Sequence, residues 1–112
     1  MEQSIPSYTK LRMASFKELI QSEKPVLIDF YADWCQPCKV LSPIVKQVKE
    51  RMGDRVSVLK IDVDRNPQLA QNLSIQGVPT LMIYRKGEQK WRQSGVLSAE
   101  AIIQQLEYFG AS

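Results

Sequence analysis

Residues 26–48 read VLIDFYADWCQPCKVLSPIVKQV, and the way this stretch folds decides how the rest of the chain is read. Its first half is an almost unbroken apolar run behind Pro25, the pattern of a strand buried on both faces, with Asp29 as the charge inside it. Its second half places apolar residues at helical spacing. Val40, Leu41, Ile44, Val45 and Val48 form the expected buried stripe of a helix from about Cys35 to Met52, which Gly53 ends. Pro43 lies inside that helix and is expected to kink it. Both cysteines of the chain, Cys35 and Cys38, fall where strand gives way to helix.

Outward from this stretch, strand-like and helix-like segments alternate. Residues 8–13 (YTKLRM) alternate weakly and read as an edge strand; SFKELI then opens a short helix, with Ser15 and Glu18 as a capping box. RVSVLKID (55–62) reads as a second central strand. NPQLAQNL (66–73) reads as a helix with Asn66 as N-cap and Pro67 at the first helical position. TLMIY (80–84) is a strand, Gly87 a turn, and QKWRQS (89–94) a last strand. Ser98 caps a closing helix whose apolar members are Ala101, Ile102, Leu106 and Phe109. Helix-linked strands call for parallel, right-handed crossovers, and the tight turn at Gly87 calls for an antiparallel hairpin. The expected architecture is therefore α/β, a mixed sheet with helices on both sides.

The 112 residues suit one domain over 1–112, with an ordered core of about 8–109. Apolar residues make up 44% and charged residues 24%, and the net charge of +3 is spread without a basic run. That argues against nucleic acid as a partner, because a phosphate-binding surface concentrates its cations. No apolar run approaches the roughly 20 residues of a membrane helix. The N-terminal MEQSIPSYTK lacks the basic-then-apolar order of an export signal, so a cytoplasmic protein is expected, with a trimmed signal as the open alternative.

With two cysteines and no histidine, the chain is neither a disulfide scaffold nor an ordinary zinc site, which takes four ligands. Inert thiols, a zinc-bridged dimer and a redox pair remain as readings. The redox reading has a mechanism. Cys35 falls at a helix N-terminus, where free backbone N–H groups and the helix dipole favour a thiolate. Cys38, one turn on, is expected to lie deeper and keep its proton. Cys35 then attacks a substrate disulfide, and Cys38 resolves the mixed disulfide. Pro37 removes one N–H that would stabilise the thiolate, which biases the pair toward being a reductant.

The stretch VLIDFYADWCQPCKVLSPIVKQV closely resembles the active-site strand and helix of thioredoxins, as do LKIDVDRNPQLAQNLSIQGVPTLMIYRKGE and SGVLSAE further on. The resemblance implies a thioredoxin fold, a central mixed five-stranded sheet flanked by four helices, and a protein-disulfide reductase. It implies Cys35 as nucleophile and Cys38 as resolving cysteine, working as a redox-active disulfide with no bound cofactor and no metal. Electrons would come from a flavin-dependent thioredoxin reductase, and the partners would be disulfide-containing proteins met by a monomer. Asp29 matches the family's buried aspartate and Lys60 the lysine beside it. A desolvated Asp29 has a raised pKa and can take the Cys38 proton; the bland reading is a locally bonded strand carboxylate. Lys60 is either a snorkelling surface lysine or a counter-charge to Asp29.

Pro79 matches the family's cis-proline, although X–Pro bonds in folded proteins are cis in only about 5–6% of cases. A cis bond there would turn Val78's backbone toward an extended substrate. Trp34, Gly77 and Gly95 match positions around the docking groove, Trp34 as an apolar wall beside an exposed nucleophile. Tyr31 stands where the family commonly has tryptophan and is expected to find a partner for its hydroxyl. Pro67 and Pro43 read as helix punctuation alone. Two departures stand out. Gln36 replaces the usual glycine between the cysteines and, with Pro37, forms the rim, where it is expected to alter partner range. Ser94 stands where an apolar residue is common. The rival readings are an exported oxidase or isomerase and a binding module that uses the groove without redox turnover.

Overall fold

The structure is a computed structural model that describes residues 5–112. The first four residues, part of the stretch read for an export signal, lie outside the described residues.

Strand β2 (Val26–Tyr31) is the centre of the sheet, and all of it except Tyr31 is buried. It pairs in parallel with β3 (Ser57–Asp62) and antiparallel with β4 (Thr80–Arg85). Strand β1 (Ser7–Tyr8) runs parallel on the outside of β3, and β5 (Glu88–Ser94) runs antiparallel on the outside of β4. The order is β1-β3-β2-β4-β5, with helices α1 (Met13–Leu19), α2 (Gln36–Met52), α3 (Pro67–Asn72) and α4 (Ala99–Tyr108) between and after the strands. This is the mixed five-stranded sheet with four helices that the sequence implies.

Side chains alternate across a strand, so β2 serves two cores. Val26, Ile28 and Phe30 meet Phe16 of α1 and Leu69 of α3, while Leu27 meets Val45 and Val48 of α2 and Ile102 and Leu106 of α4. Asp29 shares the parity of Leu27 and stands opposite Lys60 of β3 and Leu81 of β4. No helix among the described residues is long and apolar enough to cross a membrane.

Several local expectations change. The edge strand stops at Tyr8 rather than reaching Met13, because the side chain of Asn66 captures the backbone that follows. Asn66 Oδ1 accepts from the Leu11 amide (2.7 Å), and Nδ2 donates to the carbonyls of Tyr8 (3.3 Å) and Asp62 (2.8 Å). Asn66 thus occupies the N-cap position of α3 but bonds elsewhere with its side chain. Helix α1 begins at Met13 with Arg12 as its uncapped N-cap residue, which leaves Ser15 inside the helix and dissolves the capping box.

On α2 the buried stripe is Cys38, Leu41, Val45, Val48 and Met52, spaced by alternating threes and fours. Val40 lies off that stripe and is 57% exposed, while Ile44 is half-buried at its margin. The helix runs through Pro43 to Met52 and passes into a 3-10 turn, Gly53–Arg55, so β3 begins at Ser57 rather than Arg55. Phe109 follows the last turn of α4 as its C-cap and packs edge-on against Tyr108, with ring centroids 4.8 Å apart.

Candidate active site

The end of β2 and the start of α2 fix the cysteines. Cys35 is the N-cap of α2, and its Sγ accepts the Cys38 amide at 3.2 Å. Its own amide donates to the Ala32 carbonyl at 3.2 Å, which draws the strand end under the helix. Cys35 and Cys38 are joined as a disulfide, with Cα atoms 5.3 Å apart. A sulfur held where the helix N-terminus directs its free N–H groups sits in a field that favours negative charge. Pro37, in the first turn, supplies no N–H, so the Cys38 amide is the donor that meets the sulfur.

The cysteines are more alike in burial than the sequence suggests. Cys35 is 3% exposed and Cys38 5%, so Cys38 is not the deeper of the two and Cys35 is not an open nucleophile. Both pack with Ala32, Tyr31, Val63 and Val78, so the end of β2, the segment after β3 and the residue before Pro79 together cover the pair.

Beside this cluster lies an open cleft of about 430 Å³ between Trp34 and the segment Ile75–Val78, floored by α3. Trp34 is 69% exposed, which excludes the core reading, and its Nε1 donates to Asp64 Oδ2 at 2.7 Å. Gly77 and Val78 line the cleft as expected. Pro67 lines it too, so it is more than helix punctuation; opening a helix at the cleft floor puts its ring in the wall.

The Val78–Pro79 bond is cis, as the resemblance implies and the general frequency does not. Gly95 contributes no surface to the cleft lining; its amide donates to the Pro79 carbonyl at 3.0 Å, and its φ of 93° favours glycine. Gln36 and Pro37 are exposed on the first turn of α2, outside the cleft lining.

On β2, opposite Lys60, Asp29 is fully buried, and neither carboxylate oxygen has a hydrogen-bond partner among the described residues. The reading of a locally bonded carboxylate therefore fails. Burial pushes its pKa up from 3.8 to about 6, against the pull of the Lys60 ammonium. Lys60 is half-buried, with Nζ 3.2 Å from Ser42 Oγ and 4.5 Å from the centre of the Tyr31 ring. It covers apolar surface and opposes the Asp29 shift, so both of its readings hold in part. The Tyr31 hydroxyl lies 2.8 Å from Ser7 Oγ. Tyr31, Cys38, Ser42 and Lys60 help line a second, smaller pocket of about 150 Å³ on this side of the pair.

Asp64, Ile75, Gln76 and the Ser42 hydroxyl are site residues that the sequence alone did not single out. Asp64 follows β3 by two residues and meets Trp34 across 30 positions of chain, which no local pattern announces. Gln36 invites a direct test. Its amide stands one residue from the reacting sulfur, so Gln36→Gly is expected to change relative rates among disulfide substrates by about two- to tenfold, the worth of one net hydrogen bond. The reduction potential should stay put. Identical relative rates across several substrates would leave Gln36 without a role in partner choice.

Comparison with known proteins agrees with this geometry. The Thioredoxin family model matches residues 7–108. A thioredoxin-like protein of Synechocystis sp. is 43% identical over 101 residues, covering 89% of this chain and 96% of that protein. Thioredoxin Y, chloroplastic, of Oryza sativa subsp. japonica is 43% identical over 99 residues, covering 88% of this chain but only 59% of that longer protein. Among solved structures, that of chloroplastic thioredoxin z superposes with a TM-score of 0.83 at 34% identity, covering 97% of this chain and 96% of that one.

Proposed function

The chain belongs to the thioredoxin family, and from that premise we propose that it is a protein-disulfide reductase acting in the cytoplasm as a monomer. Family membership and the paired cysteines establish thiol-disulfide oxidoreductase chemistry; the direction of electron flow is the reading proposed. The observation that carries the direction is Pro37 in the first turn of α2, which withholds one backbone donor from the Cys35 sulfur and so leaves the dithiol less favoured. The nucleophile is assigned by Cys35 as the helix N-cap, with its sulfur on the Cys38 amide. That position favours the thiolate of Cys35 over that of Cys38.

The exchange balances as follows. The Cys35 thiolate attacks one sulfur of a substrate disulfide, forms a mixed disulfide and expels the other substrate sulfur as thiolate. Cys38 loses its proton, with Asp29 as acceptor directly or through a water, and attacks Cys35 Sγ. The Cys35–Cys38 disulfide forms and the second substrate thiol leaves. Two electrons have passed to the substrate, and a separate flavin-dependent thioredoxin reductase restores the dithiol.

Substrate lies in the cleft. Trp34 forms one wall, and the backbone of Gly77 and Val78 pairs with an extended segment, strand against strand. Equilibration with a dithiol buffer should give a potential near the thioredoxin value of about −270 mV, and the dithiol form should reduce an insulin-type disulfide. A potential near about −120 mV would mark an oxidant instead.

A further inference from the structure

One wall of the cleft has no strand or helix of its own. Ile75, Gln76, Gly77 and Val78 line it from the connection between α3 and β4. The chain leaves α3 by a Schellman closure: the Ser74 amide donates to the Gln71 carbonyl (3.0 Å) and the Ile75 amide to the Ala70 carbonyl (2.9 Å). This closure needs a left-handed residue after the helix, usually glycine. Here it is Ser74, at φ 56°, a conformation that costs a residue with a side chain about 1 kcal/mol or more.

The carbonyls of Leu73 and Ser74 then point away from the helix, and one guanidinium takes both. Arg92 Nη1 donates to Leu73 O and Nη2 to Ser74 O, each at 2.6 Å. Arg92 belongs to β5. Ser94, two residues on and so on the same face of the strand, lies with its Oγ 3.3 Å from Thr80 Oγ1, which donates to Gly77 O at 2.7 Å. The Gly95 amide closes the series on Pro79 O. Strand β5 and its end therefore hold the chain on either side of the wall, at Leu73 and Ser74 before it and at Pro79 after it, and reach Gly77 through Thr80 of β4.

We infer that Arg92 is a positioning residue for substrate docking: its planar fork fixes the left-handed turn at Ser74 and so sets where the wall Ile75–Val78 stands opposite Trp34. The inference rests on the reading of the cleft as the substrate groove. A lysine cannot replace the fork, because one ammonium lacks the rigid pair of donors that spans two successive carbonyls. Arg92 touches neither cysteine cluster nor cleft lining, so its loss should leave the redox chemistry alone.

The test compares the parent with Arg92→Leu and Arg92→Lys in the full chain. Amide exchange at Ser74 and Ile75 should quicken about tenfold in Arg92→Leu, with α2 and β2 still protected. KM for an extended protein disulfide should rise by about the same factor with kcat little changed, while reduction of a small aromatic disulfide and the reduction potential stay as in the parent. Arg92→Lys should fall between and fail to restore the parent KM. Unchanged exchange at Ser74 and Ile75, equal losses on both disulfides, or full rescue by lysine would each overturn the inference. A parent inactive on both disulfides would overturn the reductase reading and the KM effect with it, while the exchange rates report on the clamp without any turnover.

Discussion

Cys38→Ser is expected to stop turnover and leave the protein covalently bound to its substrate. The first attack needs only Cys35, whose sulfur keeps its N-cap position and the backbone amide of residue 38. The second needs the Cys38 thiol, and a serine hydroxyl cannot displace a thiolate from a disulfide at neutral pH. Multiple turnover should fall to the uncatalysed rate while one substrate molecule accumulates per protein through Cys35. Non-reducing electrophoresis and intact mass would show the adduct, and a dithiol would release it. Cys35→Ser should give neither turnover nor adduct. If the adduct formed on Cys38 in the Cys35→Ser protein instead, the assignment of the two roles would be reversed.

Asp29→Asn should slow the resolving step and make the protein more stable at neutral pH. The sign follows from the raised pKa. Between pH 3.8 and about 6 the folded protein holds a proton on Asp29 that the unfolded chain has released, so stability falls as pH rises through this window. A rise from 3.8 to about 6, at about 1.4 kcal/mol per pH unit, makes the ionised carboxylate a cost of about 3 kcal/mol above the window. An asparagine does not titrate. Its stability relative to the parent should therefore drop by about 3 kcal/mol as pH falls from 8 to 3.5. Urea unfolding of both proteins at the two pH values measures this directly. In stopped-flow reduction the parent should show a pH-dependent limb near 6 that the variant lacks. A stability difference independent of pH would mean that burial does not raise the Asp29 pKa above its value in the unfolded chain.

Short-range features of the chain made the sheet, its parallel and antiparallel halves and the cysteine pair legible before any coordinates. A continuous apolar run names a buried strand, and the Gly87 turn names a hairpin. Asp29 was legible for the same reason, as a charge that the pattern of β2 forces inside. The helix stripe kept Leu41, Val45 and Val48 but took in Val40 and Ile44 and left out Cys38 and Met52, because Cys38 was counted as chemistry alone; as a small apolar side chain it belongs with Leu41 and Val45, and Val40 then falls outside.

What stayed hidden joins distant parts of the chain. Asn66 meets Tyr8 and Leu11, Trp34 meets Asp64, and Arg92 meets Leu73 and Ser74. An asparagine before Pro67 reads as a cap whatever else its amide does, and an arginine on an edge strand reads as solvated. Only the fold decides which distant backbone groups such side chains reach. The comparable burial of the two sulfurs was hidden likewise, because Val63 and Val78 come to them from other elements.

The reacting sulfur of Cys35 is also the cap of the longest helix in the chain. Scaffold and chemistry therefore separate cleanly under one substitution. Serine is among the best N-cap residues, so a Cys35→Ser protein retains a proper start to α2 while losing the sulfur. It should be a faithful decoy, presenting the same cleft to the same partners and letting every one of them go unchanged.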